Sequence, residues 1–152
     1  MTTGSRIFTE AQRRLLTEVL NRIIPAEGEF PGAGGLGLAG FVERVAGQSA
    51  RLRRLFTEGL AQIEIAAFRQ HNAQFSELSD GARDSTLREI QTQFPEFFTE
   101  LLRQCYNGYY TNPRIFELIG YARPAPEEYR PKPFDESLLE PQRQRAPFWR
   151  QV

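Results

Sequence analysis

The sequence predicts an all-α fold: a compact bundle of five to six helices followed by an extended, proline-rich C-terminal tail. Apolar residues recur at spacings of three and four along most of the chain, no segment alternates strictly between apolar and polar residues, and β-branched residues are sparse. The length, 152 residues, is that of about one domain. We divide the chain into a helical domain, residues 1–121, and a tail, residues 122–152.

The first helix is expected to begin at Thr9, where Gln12 stands three residues later as the partner in a capping box. Pro25 ends it, because proline cannot continue a helix. A glycine-rich loop then leads to a short helix over Leu38–Ala46. The apolar stripe of the first helix consists of Leu15, Leu16, Val19, Leu20, Ile23 and Ile24.

The third helix is predicted to start after Ser49, which can cap it, and to run to about His71. It carries a cluster of arginines, Arg51, Arg53 and Arg54, which we expect mostly on its solvent side. Its buried stripe is predicted to consist of Leu52, Leu55, Phe56, Leu60, Ile63 and Phe68.

The remaining helices are marked by their end signals. Ser79 is a candidate cap for a helix that runs through Phe94, and Pro95 suits the first turn of the next one. Gly108 lies where a left-handed cap is expected to end that helix. Asn112-Pro113 then begins a short last helix, which ends near residue 120.

The tail changes character, because six of the ten prolines lie in residues 122–152. Their spacing excludes a long regular helix and favours an extended chain. Aromatic residues lie among the prolines: Tyr129, Phe134, Phe148 and Trp149. Three fates are open to this tail, namely packing on its own helices, lying on a partner protein, or disorder.

Composition excludes several classes of function. The formal net charge is zero, against the basic balance expected of a nucleic-acid binder. One cysteine and one histidine exclude a disulfide framework, a cysteine-based zinc site and most histidine-based metal sites. No stretch approaches the roughly 20 apolar residues of a membrane-spanning helix.

Candidate catalytic motifs are weak. Residues 32–37 match the dinucleotide-binding pattern G-x-G-x-x-G, but a helix rather than a strand precedes them, so we interpret the match as a glycine-rich turn. Cys105 falls on an apolar helix stripe and is expected to be a core residue. A stand-alone enzyme or ligand binder would need a pocket that joins Cys105, His71 and a carboxylate.

The segment most suggestive of an interface is residues 107–113, NGYYTNP. Two adjacent tyrosines, Tyr109 and Tyr110, must point in different directions, so one can be buried and the other exposed. Tyrosine combines a large contact area with a polar tip, which suits protein interfaces. An aromatic plug at the helix junction is the alternative. The predicted interface residues are Tyr109, Tyr110, Thr111, Pro113, Tyr129, Phe134, Phe148 and Trp149.

Several short motifs, in order, resemble one known family. They are residues 20–25 (LNRIIP), 31–33 (PGA), 37–42 (GLAGFV), 108–113 (GYYTNP) and 118–121 (LIGY). Over about residues 8–133 the chain is similar to the gluconate 2-dehydrogenase subunit 3 family, the small subunit of FAD-dependent sugar and polyol dehydrogenases whose large subunit is of the glucose-methanol-choline (GMC) type.

The resemblance implies a subunit that is not itself an enzyme. Such a subunit binds, stabilises and helps to mature the large GMC-type flavoprotein, which holds FAD and oxidises the sugar, while a cytochrome c or another acceptor receives the electrons. No cofactor or metal is then expected in this chain. Family members commonly carry a twin-arginine leader, whereas this chain begins at the first helix. We therefore expect a cytoplasmic protein, or a periplasmic one if a leader has been removed. The alternatives are a stand-alone helical enzyme or ligand binder, and a helical adaptor without a flavoprotein partner.

Overall fold

The computed structural model describes residues 7–121 and 133–145, and these residues form helices and no β-strand. The prediction of an all-α bundle of five to six helices is confirmed. Contacts within the chain divide it into two compact units, Met1–Tyr121 and Ala122–Val152. The first unit contains α1 (Glu10–Ile23), α2 (Leu38–Ala46), α3 (Ala50–His71), α4 (Asp80–Gln93), α5 (Pro95–Tyr110) and α6 (Pro113–Leu118).

Side-chain caps set the starts of the long helices as the sequence predicts. The Thr9 hydroxyl accepts a hydrogen bond from the Gln12 N–H at 3.2 Å, and the Gln12 side chain accepts one from the Thr9 N–H at 2.9 Å. The Ser49 and Ser79 hydroxyls accept from backbone N–H groups three residues ahead, at 3.1 and 3.4 Å. These bonds satisfy amide donors that have no partner inside a helix.

The core is built from all six helices of the first unit. In its centre the ring of Phe97 on α5 meets the ring of Phe56 on α3 edge-on, with 5.9 Å between the ring centroids. Burying a large apolar side chain stabilises a fold by about 1.5–3 kcal/mol, so the buried apolar side chains are the main source of stability. The largest fully buried side chains include Phe56, Phe75, Leu16, Leu20, Leu60, Ile63, Ile90, Leu101 and Ile115.

The prediction that Gly108 ends α5 with a left-handed cap is wrong. The helix continues to Tyr110, and Gly108 is a buried helical residue. An added Cβ at this position would lie 2.9 Å from a ring carbon of Phe41 and 3.3 Å from a methyl group of Leu38. The glycine is therefore needed because α2 packs closely against α5.

The predicted burial of Phe68 on α3 is also wrong, because 52% of this side chain is exposed. Ala67 lies eleven residues after Phe56, which is about three helical turns, so Ala67 rather than Phe68 is on the same face of α3 as Phe56. Ala67 is fully buried. Phe68 is thereby left on the surface of α3, beside the equally exposed Ile65.

Glu43 on α2 anchors the chain before α1, a role that the sequence did not reveal. Its carboxylate accepts hydrogen bonds from the N–H groups of Ile7 at 2.8 Å and Phe8 at 3.1 Å, and from the Arg13 guanidinium at 2.8 Å. Burial by itself would raise the pKa of Glu43, but these three bonds hold the pKa below its usual value.

Arg22 and Asp84 join α1 to α4. The Arg22 Nε and Nη2 atoms donate to the two carboxylate oxygens of Asp84 at 2.5 and 2.9 Å, and Nη1 donates to Asp80 at 3.1 Å. The hydrogen bonds from Arg22 lower the pKa of the Asp84 carboxyl. Such a two-point arginine–carboxylate contact fixes orientation as well as distance.

In the second unit, the prediction of an extended chain is wrong for residues 136–143. These residues form a 3₁₀ turn, Glu136–Leu139, followed by a short helix, α7 (Glu140–Arg143). The Asp135 side chain caps the turn by accepting from the Ser137 N–H at 3.0 Å. Pro141 falls in the first turn of α7, where its missing N–H needs no partner.

Candidate functional site

A surface groove lies between the turn at residues 27–30 and the corner where α5 meets α6. Its volume is about 640 Å³, and its lining is mainly apolar and aromatic. Such a composition is typical of surfaces that bind another molecule. The lining residues are Ile24, Pro25, Glu27, Gly28, Glu29, Phe30, Tyr109, Tyr110, Ile115 and Ile119.

The glycine-rich loop that follows the turn at residues 27–30 folds back on α1. The Asn21 side chain accepts a hydrogen bond from the Gly35 N–H at 3.1 Å, and an added Cβ on Gly32 or Gly34 would collide with Asn21. These glycines are therefore used for close packing against α1. The G-x-G-x-x-G match follows a helix that ends at Ile23, as the sequence indicated, and not the strand of a dinucleotide site.

The turn at residues 27–30 projects an aromatic side chain toward solvent. Glu27 and Phe30 exchange backbone hydrogen bonds at 3.0 and 2.9 Å, and Gly28 between them has φ +56°. A tight two-residue turn needs a positive φ at that position, which glycine adopts without strain. Phe30 remains 39% exposed at the rim of the groove.

Tyr109 ties this loop to α5. Its side chain is buried, and its hydroxyl donates a hydrogen bond to the backbone carbonyl of Pro31 at 2.9 Å. Burial raises the pKa of the Tyr109 hydroxyl, with smaller contributions from Tyr110 and Cys105. The hydroxyl is therefore a neutral donor that fixes the loop, which closes one side of the groove.

Tyr110 has the opposite environment, with 55% of its side chain exposed. Its ring stacks against that of Tyr106, one turn earlier on α5, with centroids 6.3 Å apart, and meets the ring of Tyr109 edge-on at 5.3 Å. The prediction that one of the two adjacent tyrosines is buried and the other exposed is confirmed. The exposed ring is held in place by two other aromatic rings.

The other predicted interface residues of this segment shape the corner. Thr111 ends α5, and its hydroxyl donates to the carbonyl of Asn107 at 2.6 Å. Pro113 is exposed at the first position of α6, and Asn112 caps that helix by accepting from the next free N–H at 3.0 Å. Thr111 and Pro113 therefore lie at the corner where α5 ends and α6 begins.

Of the predicted tail residues, Phe134 is the one that lies within the described part of the chain. Phe134 belongs to the second unit and is 68% exposed. Tyr129, Phe148 and Trp149 lie outside the described residues. Their predicted role at an interface stays a prediction.

Sequence reasoning missed Phe30, Ile119 and Tyr121 as surface residues. Ile119 is 52% exposed and Tyr121 is 53% exposed, and the Tyr121 ring contacts that of Phe116 with centroids 5.0 Å apart. No periodicity marks these positions, because Phe30 lies in a loop and the other two follow the end of α6. The one available signal for a surface residue was the position of Phe30 directly before Pro31-Gly32, in a turn.

The groups considered for chemistry are not arranged for it. Cys105 is fully buried, and burial raises the pKa of its thiol to about 12, while His71 is exposed at the end of α3. A reactive cysteine needs a lowered thiol pKa and access to solvent. Within the described residues, no group of three or more His, Cys, Asp or Glu side chains is arranged to hold a metal ion.

Two further features concern the surface of the described residues. Two of the exposed arginines near the start of α3 form ion pairs: Arg51 with Glu96 on α5, and Arg54 with Glu58 one turn later on α3. Of the helices in residues 7–121 and 133–145, none is both long enough and apolar enough to span a membrane.

Comparison with known proteins places most of the helical unit in one family. Residues 10–123 match the family model described as gluconate 2-dehydrogenase subunit 3. No curated protein and no solved structure matches the chain. The matched range covers all six helices of the first unit and both walls of the groove.

Proposed function

Because the chain belongs to the gluconate 2-dehydrogenase subunit 3 family, we propose that it is the non-catalytic small subunit of a dehydrogenase complex whose large subunit is an FAD-dependent, GMC-type flavoprotein. The small subunit binds the flavoprotein, stabilises it and assists its maturation. The large subunit oxidises a sugar or polyol on its flavin and passes the electrons to a cytochrome c or another acceptor.

The observation that carries this proposal is the groove with its exposed aromatic rim. Phe30, Tyr110 and Ile119 surround it, and each exposes between 39% and 55% of its side chain. Large apolar side chains gathered at one concave site are typical of protein interfaces, where aromatic residues supply much of the binding energy. The stacked rings hold Tyr110 in place, so little side-chain entropy is lost on binding.

The chemistry of the chain supports an auxiliary role. The thiol of Cys105, the single cysteine, is buried and has a raised pKa. The glycines that resemble a dinucleotide motif pack against Asn21 of α1, and a helix rather than a strand precedes them. Both observations favour placing the FAD and the reacting groups in the large subunit.

The proposal is tested by purifying the tagged chain from its native host and recording the mass and visible spectrum of what accompanies it. We expect a flavoprotein of several hundred residues, with flavin absorbance and sugar-dependent dye reduction that the isolated chain lacks. A stable complex without flavin would contradict the proposal and favour a generic helical adaptor. Turnover by the isolated chain would favour a stand-alone enzyme.

The groove is tested with a matched pair of variants. Tyr110→Ala should weaken the complex by about 2 kcal/mol, or roughly thirtyfold in Kd, as expected of an interface hot spot. Phe68→Ala is the control, because this aromatic side chain is similarly exposed (52%) but lies on α3, away from the groove. Equal Kd values for the wild type and both variants would remove the groove from the interface. Trp149→Ala tests the predicted contribution of the tail in the same assay.

A further inference from the structure

Three carboxylate side chains in residues 7–121 differ from all the others in that range because they have no partner. In that described range, Glu27, Glu29 and Glu117 are the carboxylates with neither a hydrogen-bond partner nor an ion-pair partner. The others are bound to an arginine, a glutamine or a backbone N–H. All three unpartnered residues are exposed.

Two of these unpartnered carboxylates line the groove, and the third lies on α6. Glu27 and Glu29 line the groove, and Glu117 lies on α6, whose flanking residues Ile115 and Ile119 also line it. No arginine or lysine is among the lining residues. Arg22, the cation nearest to Glu27 in the sequence, is bound to Asp84 and Asp80. Arg114 on α6 does not line the groove.

The groove therefore combines an apolar interior with a negatively charged turn on one side. Its apolar lining includes Ile24, Pro25 and Ile115, together with the exposed aromatic rings of Phe30 and Tyr110. At about 640 Å³ it has room for a few side chains of an extended segment. An apolar side chain would replace water in the interior, while a cation would meet the two carboxylates at the rim.

From this charge pattern, and resting on the proposed function, we propose that the groove binds an extended segment of the flavoprotein subunit that carries an apolar side chain next to arginine or lysine. The apolar side chain enters the groove, and the basic side chain pairs with Glu27 and Glu29. The attraction between rim charges accelerates association and selects the partner, whereas the buried apolar contact slows dissociation.

The occupant is identified by photo-cross-linking in the intact complex. A photoreactive phenylalanine analogue, benzoylphenylalanine, is placed at Phe30 of the tagged chain, and a second protein carries it at Phe68 as the matched control. After irradiation, mass spectrometry should find the Phe30 position linked to a flavoprotein peptide with a basic residue within about three positions of an apolar one. A link to this chain's own residues 122–152, to a second copy of the chain, or to a segment without basic residues would overturn the inference.

The charge term is tested by neutralisation. The double variant Glu27→Gln with Glu29→Gln should weaken the complex on the order of fivefold at low ionic strength, mostly through a slower association rate. The difference should vanish in about 1 M salt, where the Debye length, the range over which charges still interact, is only about 3 Å. Glu117→Gln is the control, since this carboxylate is also unpartnered but does not line the groove, and its Kd should change less than twofold.

The two proposals fail in different ways. Copurification of a flavoprotein whose affinity is unaffected by neutralising Glu27 and Glu29 would overturn this inference and leave the proposed function intact. Absence of any flavoprotein partner would overturn both.

A charge swap gives the positive result: Glu29→Arg should weaken the complex, and exchanging the basic residue of the cross-linked peptide for glutamate should restore it. Unchanged thermal unfolding of each variant shows that the fold is preserved.

Discussion

The contact between Gly59 on α3 and Phe97 on α5 allows a sharp test of the packing argument. An added Cβ at Gly59 would come closer than 3.0 Å to three carbons of the Phe97 ring, whereas ordinary contact begins at 3.4 Å. The ring is 2% exposed and meets the buried ring of Phe56 edge-on, so any shift of Phe97 disturbs the packing of the core. Gly59→Ala therefore forces a displacement of about 1 Å, either between the two helices or of the Phe97 ring.

The expected magnitude comes from two opposing effects. Overpacking a core costs about 1–3 kcal/mol, and the close overlap with three carbons of the Phe97 ring places this site at the upper end. Alanine recovers about 1 kcal/mol through its higher helix propensity. The net expectation is a free energy of unfolding lower by about 2 kcal/mol, which corresponds to a Tm lower by about 6 °C for a chain of this size.

The assay is urea unfolding of the isolated chain, followed by far-ultraviolet circular dichroism. Gly81→Ala is the matched control, because this glycine lies in α4 and an added Cβ would meet nothing within 4 Å. It should stabilise the chain by up to about 1 kcal/mol. In the Gly59→Ala background, Phe97→Leu should cost less than it does in the wild type, since the collision has been removed. A Gly59→Ala variant as stable as the wild type would refute the reasoning.

Three further outcomes are expected. Tyr109→Phe should lower the free energy of unfolding by about 1 kcal/mol, because the carbonyl of Pro31 loses its donor, whereas Tyr110→Phe should leave it unchanged in the same urea titration. The pKa of Glu43 is lowered in the folded state, so this residue stabilises the fold above about pH 4.5, and that stability is lost as the pH falls through the folded-state pKa. The decrease in stability between pH 7 and pH 3 should accordingly be smaller in Glu43→Gln, and an equal decrease would contradict the assignment. The thiol of Cys105, with a pKa of about 12, should react with a disulfide reagent at pH 8 only after unfolding in urea, and rapid labelling of the folded chain would show that it is accessible.

Much of the helical unit could be predicted because its signals are local. The capping box of Thr9 and Gln12, the cap at Ser49 and the proline at the start of α5 each act within one turn, so neighbouring residues suffice to place a helix end. The apolar periodicity that identifies helices is likewise a property of a short window. The opposite environments of Tyr109 and Tyr110 follow from their adjacency on one helix.

The errors arose where a distant element decides the outcome. Gly108 has the appearance of a helix cap, but α2, about 70 residues earlier in the chain, occupies the space beside it. Phe68 follows its nearest apolar neighbours at a spacing typical of a core residue. Over the three turns from Phe56, however, the rotation of the helix places Ala67 in the core instead. The short α7 was missed for a different reason: Asp135 caps the preceding turn through a local contact, whereas the spacing of the prolines favoured an extended chain.

The sequence by itself determined the all-α class, the order of the helices and most of their ends, since these depend on interactions between residues a few positions apart. Only the tertiary structure decided the groove. Its walls, the turn at residues 27–30 and the end of α5, are joined by the Tyr109–Pro31 hydrogen bond across a separation of 78 residues. The same folding leaves Glu27 and Glu29 without partners. Contacts between such distant residues depend on how the helices pack together, and no local pattern records that packing.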